Sequence, residues 1–174
     1  MLEKGLFFPE YQEVLRDREL STTKFALPIE SIDIVGIWKP KYSPEHKGEF
    51  EGAVDIAVVD PRVKATYVYA PAEGVVVCGV LTNSRWGSDE TDKKYLNWVH
   101  IRTTNGDFYE LAHIEAIPER ILRVGDVVRK GEKIARVGLN GRLTDTNGVV
   151  DSHLHFFVGK YELGGFKGLR INWE

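Results

Sequence analysis

From Phe25 onward the sequence is a succession of short apolar runs, each cut off by glycine, proline or an Asn-Gly pair. A chain punctuated this often has little room for long helices. The regular spacing of its runs predicts an all-β sandwich or barrel. The runs are VDIAVV (54–59), ATYVYA (65–70), GVVVCGVL (74–81), YLNWVHIRT (95–103), FYELAHI (108–114), DVVRKGEKIARVG (126–138) and HLHFFVGKYE (153–162). Asn105-Gly106, set between two alternating runs, predicts a tight hairpin. Lys130-Gly131 divides the 126–138 segment into two strands. The polar stretch SRWGSDETDKK (84–94) is expected to be an exposed loop at a hairpin end. Before Phe25 the pattern differs. Phe7, Phe8, Tyr11, Val14 and Leu15 predict a short amphipathic helix over 5–20, starting near Pro9 and packed on the protein's own core. The expected division is a helical extension over 1–24 and a β domain over 25–174.

Composition removes several function classes. Lys and Arg number 23 against 26 for Asp and Glu, a net charge of −3, so no basic field draws nucleic acid or anionic lipid. No apolar run approaches the roughly 18–20 residues of a membrane span. Leu6 to Phe8 is too short for the core of a signal peptide, which predicts a cytoplasmic location for the chain as written. The single cysteine, Cys78, excludes an internal disulfide and any site built on several thiolates. A bound metal must therefore be held by His, Asp or Glu.

Three clusters carry candidate chemistry. His153 and His155 stand two residues apart on a strand, so both rings face one side, roughly 6.5–7 Å apart along the strand. One could hold a metal while its neighbour works on water or substrate; the alternative is a pair on an exposed strand face. Asp55 opens the apolar run 56–59, where a carboxylate is costly unless a positive partner satisfies it. Glu51, four residues earlier, lies ~13 Å away if the chain is extended. Sharing a metal would require a bend, which Gly52 permits. Otherwise Glu51 is a solvated carboxylate. His113 ends the alternating run 108–114 and by itself reads as a surface or satisfied core residue. His100 reads as structural and Cys78 as an inert strand residue. Trp86 and Tyr95 bracket the polar loop, as anchors or as the lining of a substrate groove.

Taken in order, these segments resemble the lysostaphin-type, or LytM-like, zinc metallopeptidases. That family's pattern runs H-x-G-x-D, Y-A-P-A-x-G-x-V, Y-x-H-L, V-x-x-G-D-x-V-x-x-G-x-x-I-x-x-x-G and H-L-H-F. The corresponding stretches here are EGAVD (51–55), YAPAEGVV (69–76), YELAHI (109–114), RVGDVVRKGEKIARVG (123–138) and HLHFFV (153–158). FALPIESIDIVG (25–36) is similar to the family's first strands. The resemblance covers about residues 25–160. It implies a compact antiparallel sheet with an open groove, the barrel-sandwich hybrid of the duplicated hybrid motif. It also implies a zinc site with Glu51, Asp55 and His155 as ligands and a water in the fourth position. His113 and His153 would be the catalytic groups beside that water. The implied activity is an endopeptidase or amide hydrolase acting on peptidoglycan peptides of bacterial cell wall, in a family that usually works outside the cytoplasm.

The pattern departs at the first ligand, where Glu51 stands for His, and at Ala53, where the motif has Gly. Carboxylate oxygen is an accepted zinc ligand, but two carboxylates cancel the charge of Zn²⁺ and tilt preference toward harder ions such as Mn²⁺. His46 could supply the missing imidazole instead. A domain of the same fold with an impaired site, serving as a binding or regulatory scaffold, is the alternative. The 123–138 segment is also similar to lipoyl and biotinyl carrier hairpins. Lys130 lacks their acidic flank and reads as a solvated turn lysine.

Overall fold

The computed structural model describes residues 18–38, 52–83, 94–141, 143 and 151–174. The apolar runs become strands in chain order: β1 (Leu20–Phe25), β2 (Ile34–Trp38), β3 (Val54–Val58), β4 (Tyr67–Tyr69), β5 (Gly74–Val80), β6 (Trp98–Thr103) and β7 (Phe108–Ala112). They continue with β8 (Ile114–Glu115), β9 (Val127–Val128), β10 (Lys133–Val137), β11 (His153–Glu162), β12 (Gly165–Gly168) and β13 (Arg170–Trp173). Among the described residues the helical structure is confined to short pieces such as the 3-10 turn at Ser31–Asp33. The all-β expectation holds, and no described helix is long and apolar enough to cross a membrane.

Most of the expected N-terminal helix cannot be followed. Residues 5–17 lie outside the described residues, and at its far end Leu20 opens β1 instead, with the alternating burial of a half-covered strand. Glu51, His46 and Trp86 also lie outside the described residues.

The strands form three sheets. The largest runs β2-β3-β11-β7-β6-β5-β9, with β12 paired to β11, and every pairing in it is antiparallel. The second is β4-β10-β8, also antiparallel. The third is the parallel pair β1-β13, which places residues 20–25 beside residues 170–173. The Asn105-Gly106 hairpin forms as expected. Gly106 has φ 90°, which a β-carbon disfavours, and Thr103 N donates to Asp107 O at 2.7 Å. The 126–138 segment does give two strands, but they join different sheets. β9 extends the large sheet and β10 is central to the small one.

All three sheets contribute to one core. From the large sheet come Val54, Ile56, Leu154, Phe156, Val158, Tyr109, Leu111, Val99 and Ile101. From the small sheet come Val68, Ile114, Ile134 and Val137, and from the parallel pair Phe25 and Ile171. Phe25 meets Tyr109 and Phe156 edge-on, at ring centroid distances of 5.9 and 5.8 Å. Burying a side chain such as Phe156 contributes roughly 1.5–3 kcal/mol.

The opposite face of the large sheet is covered too. Phe157, one residue along from Phe156, points the other way and packs with Ala53, Phe108 and Phe166. This is why β3 and β7 are buried at every position, their carboxylates Asp55 and Glu110 included. It is also the face on which the ionisable residues collect.

Candidate functional site

In an antiparallel pair, directly opposed residues share a face of the sheet. His155 on β11 opposes Asp55 on β3 and Ala112 on β7. His153 opposes Ala57. The bulky imidazoles thus sit across from two alanines and one carboxylate, which leaves room for the rings to converge. His155 Nδ1 lies 3.4 Å from Asp55 Oδ1, and His153 Nε2 lies 3.6 Å from the same oxygen.

His113 reaches the site by breaking a rule. Ala112 faces the site, so a regular strand would turn the next side chain into the core. Instead His113 adopts φ 61°, the one non-glycine positive φ among the described residues, and this kink separates β7 from β8. Two backbone bonds hold it: His113 N donates to Asn97 O at 3.0 Å and Gly138 N donates to His113 O at 2.8 Å. The ring then meets that of His153 edge-on, centroids 4.6 Å apart. His113 Nδ1 donates to Asn140 O at 2.7 Å, and His153 Nδ1 donates to Asp151 O at 2.9 Å. Both rings are therefore fixed through Nδ1, and each keeps Nε2 for the site.

Asn140 is a latch that the sequence does not announce. It is buried, and besides holding His113 it accepts from Asn97 N at 2.7 Å and donates to Ile114 O at 2.9 Å. Nothing in Gly138-Leu139-Asn140-Gly141 signals this role. Glu110 is the second residue missed, and here a signal existed. It sits in an otherwise apolar strand with the same parity as Ala112, a setting as costly for a carboxylate as that of Asp55. Its Oε1 lies 3.3 Å from His155 Nε2, and its Oε2 accepts a 2.5 Å bond from His100 Nε2. His100, read from sequence as structural, thus supports a residue next to the site.

The electrostatics follow from burial and pairing. Burial opposes the charge on His155, but hydrogen bonds to Asp55 and Glu110 outweigh it and push its pKa up to about 9. Burial likewise opposes the charge on Glu110, and bonds from His100 and His155 prevail, holding it at about 2. Burial, aided by the nearby His153, pushes His113 down to about 3, so it is neutral at physiological pH.

Of the expected site residues, the structure brings together Asp55, His113, His153 and His155. Glu51 lies outside the described residues, although the bend expected before Asp55 is present at Gly52, φ 99°. Among the described residues no three of His, Cys, Asp and Glu are grouped so as to hold a metal. Two are spaced for one. Donors about 2.0–2.1 Å from a tetrahedral zinc are about 3.3 Å apart, and Asp55 Oδ1 and His155 Nδ1 are separated by 3.4 Å. The residues present fit two corners of such a centre.

Three other features noted in the sequence have partners of their own. Lys130 is ion-paired with Glu174. Cys78 is only partly buried; it opposes His100 across β5 and β6, and burial raises its thiol pKa. Tyr95 is partly buried beneath Lys94, whose Nζ lies 5.1 Å from its ring centroid.

Comparison with known proteins agrees with the geometry. Residues 50–167, about two thirds of the chain, match peptidase family M23. No curated protein matches the chain. Among solved structures, it is similar to a zinc-containing peptidase from Vibrio cholerae, with 23% identity and a TM-score of 0.51, over 78% of this chain and 36% of that one. It is similar to a LytM protein of Ruminococcus gnavus assigned as a glycyl-glycine endopeptidase, with 18% identity and a TM-score of 0.53, over 91% of this chain and 59% of that one. It is also similar to the structure of the SpoIIQ-SpoIIIAH pore-forming complex, with 16% identity and a TM-score of 0.53, over 87% and 94%. The chain spans less than two thirds of the first two structures, and at these identities the likeness is one of fold. The family match rests on the motif-bearing region itself: the chain belongs to peptidase family M23, and so to the hydrolases.

Proposed function

We propose that this chain is a zinc-dependent endopeptidase or amide hydrolase of the lysostaphin type, cleaving peptides of peptidoglycan. The observation that carries the reading is the convergence of Asp55, His113, His153 and His155 on one face of the large sheet, with the first and last at zinc-donor spacing. Asp55 and His155 would hold the metal, with Glu51 as the third ligand. The ion would supply Lewis-acid polarisation of the scissile carbonyl and a water of lowered pKa.

The chain's own residues supply the rest. Neutral His113, tied to Asn140 through Nδ1, accepts a proton at Nε2 from the attacking water. His153, its ring 4.6 Å from that of His113 and tied to Asp151 O through Nδ1, keeps its Nε2 for the same side of the site. The protonated ring then donates toward the negative charge developing on the carbonyl oxygen and later returns its proton to the leaving amine.

Metal content after zinc loading and desalting, combined with assay of new amino ends released from peptidoglycan, tests this. Retention of one zinc ion per chain, with both retention and cleavage abolished in Asp55→Ala and His155→Ala, is expected. Manganese retained in preference would keep the hydrolase and change its ion, as the anionic ligand set allows. A chain that retains no metal under any loading would favour the second reading, a binding or regulatory scaffold. Two observations speak for that reading: Glu51 at a position where the resemblance implies His, and the likeness to a structure whose described role is in a pore-forming complex.

A further inference from the structure

Glu110 is buried on the site face of β7, and its two oxygens are divided between two imidazoles. One faces His155 Nε2 at 3.3 Å; the other accepts from His100 Nε2 at 2.5 Å. His100 is anchored in turn. Its Nδ1 lies 3.1 Å from the Tyr161 hydroxyl, and its ring stacks on Phe108 at 4.7 Å between centroids. Tyr161 stacks on Phe108 at 4.3 Å. The result is a continuous polar line, Tyr161-His100-Glu110-His155-Asp55, running from a partly exposed tyrosine across the sheet to the candidate metal donors. Each ring on it is flanked by aromatic packing or by a buried carboxylate.

An imidazole offers one lone pair when its other nitrogen carries hydrogen, so whichever group accepts from one nitrogen selects the donor atom at the other. Glu110 can only accept, and it stands on the Nε2 side. We propose that Glu110, braced by His100, is the positioning residue that keeps hydrogen on His155 Nε2 and so presents Nδ1, the atom facing Asp55, to the metal. This rests on the reading of Asp55 and His155 as metal ligands. It goes beyond that reading by placing a carboxylate and a second histidine, neither in the expected site, behind the metal-binding atom. It also gives His100 a role beyond packing.

The test uses the full chain and two near-isosteric substitutions. Glu110→Met keeps the volume without an acceptor; Glu110→Gln keeps a neutral acceptor. Zinc affinity is measured by competition with a chromophoric chelator, and the folded state is checked by thermal unfolding in the absence of metal. The expected result is 10–100-fold weaker zinc binding in E110M, the loss typical of a removed carboxylate behind a metal-bound histidine, and most of that loss restored in E110Q. A histidine-selective proton–nitrogen correlation on zinc-loaded protein adds a signature that simple packing would not move. The His155 Nε2 proton should be slow to exchange in the wild type and shifted upfield in E110Q, whose neutral acceptor is weaker. Should E110M fail to fold, that E110Q shift decides.

Wild-type zinc affinity in a folded E110M, or an unshifted Nε2 proton in E110Q, would overturn the proposal while leaving the metal reading intact. Zinc that does not bind the wild type at all would overturn the metal reading and this inference with it.

Discussion

At the scale of single residues, the site depends on a backbone conformation that its key side chain does not favour. His113 at φ 61° is the type of outlier that costs on the order of 1–3 kcal/mol and persists only when its surroundings determine it. Here Asn97, Gly138 and Asn140 do so. Glycine adopts this φ freely and alanine does not. His113→Gly should therefore unfold at higher temperature than His113→Ala, by about 1 kcal/mol of stability, while neither hydrolyses substrate. Equal stability in calorimetry would show that the kink carries no strain. Position 51 gives a second test. Replacing a carboxylate ligand with imidazole leaves net positive charge on the centre, so Glu51→His should tighten zinc binding and raise hydrolysis. Unchanged affinity by chelator competition would remove Glu51 from the ligand set.

At the scale of elements, β11 organises the molecule, because its two faces serve different ends. Leu154, Phe156 and Val158 feed the main core, and His153, His155 and Phe157 the opposite face. A one-residue slip against β3 would exchange them and bury both histidines in the core. Gly159 guards this arrangement. A β-carbon there would lie 2.7 Å from the Phe157 ring, 2.8 Å from the Phe108 ring and 2.9 Å from Lys167 O. Two of these neighbours are packed aromatics and the third is backbone of β12, so none gives way easily. Gly159→Ala should destabilise by about 1–3 kcal/mol in denaturant titration. It should also weaken catalysis, since Phe108 also stacks on His100. A variant as stable as the wild type would mean that β12 shifts to make room.

At the scale of the whole molecule, three sheets share one core, and the metal reading predicts a stability linked to zinc. Asp55 and His155 sit on different strands, so an ion held between them binds the folded chain in preference to the unfolded one. Free zinc at a hundredfold its dissociation constant should add about 2.7 kcal/mol, an increase in unfolding temperature of roughly 5–10 °C that EDTA reverses. Asp55→Ala should show no such increase, and a zinc response that survives this substitution would place the ion elsewhere.

The sequence by itself determined the strand succession, the 105–106 hairpin and the pairing of His153 with His155 on one face. Local alternation and turn chemistry suffice for each, because they depend on residues close together in the chain. The costly carboxylate at 55 and the ordered motifs were also legible, and they lead to the family. The N-terminal helix was misjudged at its far end, where Leu20 enters a strand because β13, 150 residues on, is there to pair with it. The two halves of 126–138 look like one local hairpin but are claimed by different sheets. Only the tertiary structure decided these, and only it could set Glu110 behind His155, tie His100 to Glu110 and turn His113 toward the site. Each of those relations is a register between strands or a backbone bond across the fold. Such contacts are selected by the total burial of the assembled sheets and leave no periodic trace in any one segment.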